Sequence, residues 1–274
     1  MEPASFKPYP TIGQAFGIFG LYIVFASGIG LIVPVIFHLF DYENMPLINL
    51  LGYTIAGILT IWVAVMFKRK TAGPGPIVIF GDMPILLAIL LLVLTPAIAI
   101  VIEPLSLLIP VPEFVEKLFA LLLNKTIFTG IMVVVAAPLI EEVLFRGMIL
   151  DGFLKRYSPW KAILWSSVIF GLFHLNPWQF IPAFILGVLM GYVYWKTRSL
   201  WLCIFIHFIN NGLSYLALFF VDEQTTAVAD LFSGRRDYLL SYFISVGIVV
   251  LGVLWLIRLT KTQNHQIISN GSED

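Results

Sequence analysis

Charge is what this chain of 274 residues has least of: Asp, Glu, Lys and Arg make up only 12% of it. Soluble domains carry about 25%, so a well-solvated globule is excluded. The charges present cancel, 16 basic against 16 acidic. No net field remains to hold a polyanion, which excludes a nucleic-acid partner. Cysteine occurs once, at Cys203, ruling out an internal disulfide framework and any cysteine-rich metal site. Nor is the chain polar enough to be disordered, since 59% of it is hydrophobic and so much apolar surface does not stay solvated. The composition is that of a protein dissolved in a lipid bilayer.

What is abundant is long runs without a single Asp, Glu, Lys or Arg: Pro8–Phe40, Asn44–Phe67, Met83–Ile102, Ala162–Trp195, Ser199–Val221 and Tyr238–Ile257. About 20 apolar residues cross a bilayer as a helix. His174-Leu175-Asn176-Pro177-Trp178 breaks the longest run into two shorter helices, because proline and asparagine favour a turn. Thr126–Ile140 adds a span that runs into Glu141-Glu142 and continues through Val143-Leu144-Phe145. The expected fold is all-α, a polytopic membrane bundle of about eight transmembrane helices.

With eight spans, Lys7, Lys68, Arg69, Lys70, Lys155, Arg156, Lys161, Lys196, Arg198, Arg258 and Lys261 fall on one side. The acids between Asp41 and Asp237 fall mostly on the other. The excess of basic loop residues marks the cytoplasmic side and predicts both termini there. The first apolar run is too long for a cleaved signal peptide and reads as a retained helix. The polar tail Thr262–Asp274 reads as frayed. Gly187-x-x-x-Gly191 would permit two helices to approach closely.

Against this background several polar residues stand out. Glu141, Glu142 and Arg146 share one span, His174 ends another, and His207 and Asn211 share a third. An ionised side chain at mid-bilayer costs about 2.5–3.5 kcal/mol, so such groups face the bundle interior. Glu142 and Arg146 have the i, i+4 spacing of an intrahelical ion pair, a structural role. Glu141 lies about 100° around the helix and is left needing another purpose. At about 1.5 Å per residue from the nearest cytoplasmic charge, Glu141, His174 and Asn211 all lie about 20 Å deep. His207 and Arg146 lie about 13–14 Å deep. Phe170 with His174, and His207 with Asn211, each occupy one helix face.

Glu141-Glu142-Val143-Leu144-Phe145-Arg146, Phe170-Gly171-Leu172-Phe173-His174 and His207-Phe208-Ile209-Asn210-Asn211 together resemble the EExxxR, FxxxH and HxxxN motifs of the CAAX protease and bacteriocin-processing (CPBP, or ABI) family. That resemblance implies an intramembrane endopeptidase, with residues 126–220 as the catalytic core, 1–125 as preceding spans and 221–274 as the last span and tail. The implied partners are the lipid bilayer and a membrane-associated peptide or prenylated C-terminal tail. In a metal-free scheme Glu141 and His174 activate water, His207 and Asn211 donate to the oxyanion, and Glu142, Arg146 and Phe170 support them. The alternative is zinc held by Glu141, His174 and His207. Asn211 favours the first scheme, an amide being a poor zinc ligand and a good oxyanion donor. Outside enzymology, a non-catalytic scaffold or immunity protein, or a proton-coupled transporter, would use the same bundle. A transporter would want polar residues strung from face to face, not gathered at one depth.

Overall fold

A computed structural model describes residues 6–106, 108–115, 117, 124–220 and 232–270, with the backbone alone at 106 and 262–270. Among the described residues the long elements are all helices. They are α1 (Ile12–His38), α2 (Met45–Ala72), α3 (Ile85–Ser106), α4 (Ile127–Leu154), α5 (Pro159–Phe173), α6 (Pro177–Thr197), α7 (Leu200–Ala217) and α8 (Arg235–Asn270). Seven are long and apolar enough to cross a membrane, and α5, with 15 residues, is apolar but shorter. The eight segments expected are all helical, seven of them long enough to span. α8 differs in one respect: its backbone stays helical to Asn270, past the point where the polar tail was expected to fray. Extending an existing helix needs no new nucleus, so polar sequence follows it cheaply. The last four residues of that tail lie outside the described residues.

Local chemistry explains the boundaries. Thr11 and Gln14 form a reciprocal capping box at the start of α1, and Asn44, Thr126, Asn176 and Ser199 cap α2, α4, α6 and α7. Each side-chain oxygen satisfies one of the orphan amides of a first turn. Pro159 and Pro177 occupy first turns, where no amide hydrogen is needed. Between α5 and α6, Leu175 takes the left-handed conformation at φ 56°. A helix of 15 residues rises about 22 Å, less than the roughly 30 Å of hydrocarbon. The end of α5 that carries His174 therefore stops inside the bundle.

α4 is wider than an ordinary helix over Ile131–Ala136 and Val143–Leu150, where it adopts π-helical geometry on either side of Ala137–Glu142. Such widening is common at functional sites. α5 packs on α6 along the small-residue stripe: a Cβ on Gly187 would sit 3.0 Å from Ser167, and one on Gly191 3.0 Å from Ile163. α1 lies against α2 and α8 against α3, while α7 touches α3, α4 and α6. At one end of the bundle, buried Asp151 accepts from Lys155 at 2.6 Å and Arg198 at 3.2 Å, with Lys68 at 4.0 Å. These three cations come from loops or helix ends assigned to one side of the membrane by charge alone.

Candidate active site

α4 supplies the charged centre. The fully buried Glu142 carboxylate accepts from Arg146 Nη1 at 2.8 Å, and through the same oxygen from His207 Nδ1 at 2.8 Å. The Arg146 guanidinium also reaches the Gly187 carbonyl at 3.4 Å and lies 4.3 Å from the centre of the Phe170 ring. Phe170 meets both His174 and His207 edge-on, at 5.4 and 5.6 Å between ring centres. The i, i+4 pair expected at Glu142 and Arg146 is present. Glu142 is not turned toward Glu141. A side chain about 100° around the helix faces α7, so Glu142 fixes the His207 imidazole instead.

Glu141 has different company. Its Oε1 accepts the Tyr53 hydroxyl at 2.7 Å, and its buried Oε2 has no partner among the described residues. His174 holds its Nδ1 on the Phe170 carbonyl at 3.1 Å. A carbonyl only accepts, so Nδ1 carries the proton and Nε2 is left to the cavity side of the chemistry. Asn211 gives one amide hydrogen to the Val133 carbonyl at 2.9 Å, leaving the second hydrogen of the same nitrogen.

Glu141, His174, His207 and Asn211 line a single cavity of about 590 Å³, together with Phe170. Walls from α2, α3 and α6 close it, with Tyr53, Glu103 and Gln179 as polar members. Sequence reasoning missed Tyr53. A belt tyrosine sits near a span end, whereas Tyr53 lies nine residues beyond the Asn44 cap, about 13–14 Å into the helix. That depth was the available signal. Ser214, Tyr215 and Asn210 also line the cavity; Asn210 spends its amide on the Asn211 carbonyl oxygen at 3.2 Å.

The zinc alternative needs Glu141, His174 and His207 to converge on one point. Among the described residues no three His, Cys, Asp or Glu side chains gather closely enough to hold one metal ion. Glu141 accepts from Tyr53 on Oε1, and His207 turns its Nδ1 to Glu142. The donors of the proposed ligand set thus share a cavity without converging on one point.

The site is that of a membrane-embedded acid, imidazole and amide cluster in a helical bundle. Residues 123–213 match the family model described as type II CAAX prenyl endopeptidase Rce1-like. A Bacillus subtilis protein, YdiL, whose name provisionally calls it a membrane peptidase, is 30% identical over 77 residues, 28% of this chain and 32% of its own length. An uncharacterized 24.3 kDa protein of Escherichia coli is 30% identical over 117 residues, 40% of this chain and 54% of its own. The chain thus spans about a third and about half of these two relatives. No solved structure matches it significantly. Residues 123–213, which hold the three motifs in order, are thus similar to the type II CAAX prenyl endopeptidase family.

Proposed function

We propose that this protein is an intramembrane endopeptidase that hydrolyses a peptide bond in a membrane-associated peptide or a prenylated C-terminal tail. The observation that carries the proposal is the common cavity of Glu141, His174, His207 and Asn211, in which Glu141 Oε2 is buried and unpartnered. A carboxylate oxygen with no protein donor is suited to hold a water. Glu141 takes the proton of that water as it attacks the scissile carbonyl, and His174 Nε2 fixes the water from a second side. The oxyanion is met by His207 and by the remaining amide hydrogen of Asn211. His207 faces the oxyanion with Nε2, its ring held by Nδ1 on the Glu142 carboxylate. Glu141 then returns the proton to the leaving nitrogen.

Exclusion of bulk water by the bundle strengthens each of these interactions. Both termini are assigned to the cytoplasm; the gathering of Lys68, Lys155 and Arg198 on Asp151 supports one basic face. The test uses purified protein in detergent with an internally quenched peptide, with and without a chelator. Wild-type cleavage that persists under chelation and disappears in Glu141→Gln is expected. Equal rates for wild type and a folded Glu141→Gln protein would refute the assignment.

A further inference from the structure

Tyr53 belongs to no motif and comes from α2, a helix otherwise without site residues. Yet its hydroxyl is the sole protein donor to Glu141 among the described residues, at 2.7 Å on Oε1, with Oε2 unpartnered. The tyrosine is itself held: its ring meets that of Tyr22 edge-on at 6.5 Å, and Tyr22 packs on Phe173 at 4.2 Å, next to His174. A carboxylate on a three-torsion side chain can otherwise rotate both oxygens away from a substrate. One short hydrogen bond on Oε1 removes that freedom and determines which oxygen is left for water.

The ring of Tyr53 has a second position in the architecture. A further cavity of about 540 Å³ lies between α1 and α2, walled mainly by apolar residues such as Ile29, Val33 and Ile48. Tyr53, Met132 and Gln179 line both this cavity and the one that holds Glu141. The tyrosine thus stands where the two spaces adjoin.

We propose that Tyr53 is the positioning residue of the hydrolytic site: its hydroxyl holds Glu141 in the rotamer that presents Oε2 to water, while its ring separates the reaction cavity from the apolar space behind it. The inference rests on the endopeptidase reading above and deepens it. Hydroxyl and ring have separable consequences. Losing the hydroxyl disturbs the carboxylate only when it must act, so kcat falls and KM stays. Losing the ring also opens the wall against which substrate lies, so KM changes as well.

The test measures kcat and KM for an internally quenched peptide library in detergent, together with melting temperature. The proteins compared are wild type, Tyr53→Phe, Tyr53→Leu, Glu141→Gln and Tyr192→Phe. Tyr192 gives a control, since its hydroxyl meets Thr260 at 3.3 Å far from the site. A hydrogen bond to a charged group is worth about 10- to 100-fold in rate. Tyr53→Phe is expected to lose that much in kcat with KM within about twofold, Tyr53→Leu to change both constants, and Tyr192→Phe to change neither. Wild-type kcat in Tyr53→Phe, or an equal loss in Tyr192→Phe, overturns the positioning role and leaves the endopeptidase reading standing. Wild-type cleavage by Glu141→Gln overturns that reading, and the role of Tyr53 with it.

Discussion

The inner and outer helices of this bundle obey opposite rules. In α1 and α8 only 11% and 17% of the apolar window is buried, against 39% in α4 and 44% in α6. The outer helices meet lipid with interchangeable apolar side chains, Leu31 and Leu251 among the most exposed. The inner ones bury what a bilayer will not accept: Glu142, Arg146, Asp151 and His207, each with a named partner. Hydrophobicity therefore says where the chain spans, whereas polarity says where it acts. Adjacent residues sharpen the point. Glu142 holds Arg146 and His207 through one oxygen, whereas Glu141 lines the cavity and meets the Tyr53 hydroxyl, so two glutamates one residue apart keep different company.

Substitutions can break this contrast, beginning with the deepest. Glu141→Gln should lower peptide hydrolysis by about 10²–10⁴-fold, the usual share of a general base, with little change in melting temperature. Glu142→Ala should cost about 3–5 kcal/mol of stability, because it leaves Arg146 buried without its counter-ion. Thermal denaturation in detergent would read it, and a melting point equal to wild type would contradict the pairing. Gly187→Val should cost about 1–3 kcal/mol by overpacking α6 on α5, where even a Cβ stands 3.0 Å from Ser167. At the outer edge, Leu251→Ala should stay within about 0.5 kcal/mol, since the side chain is 69% exposed. A large effect there would mean that α8 faces protein rather than lipid.

Much of the fold was legible before any coordinates. Uncharged runs located the spans, and Asn176-Pro177 located the turn that divides the longest run. The stripe Gly187 and Gly191 indicated a close crossing without saying that Ser167 and Ile163 lie opposite. Depth along the helices grouped Glu141, His174 and Asn211 in one slab, because rise per residue is constant in any helix. What helical periodicity does not carry is the rotation of one helix against another. For that reason the i, i+4 pair of Glu142 with Arg146 was legible and its contact with His207 was not. Tyr53 offered its depth as the one signal for a related reason: its importance comes from a neighbour 88 residues away.

The sequence alone determined that this is a membrane bundle, where its long apolar spans run and which residues are too polar to face lipid. These follow from transfer free energy, which each residue carries with it wherever it is placed. Tertiary structure decided which polar groups pair with one another and which of them line one cavity. Hydrogen bonds depend on distance and direction between helices, and only their packing sets those.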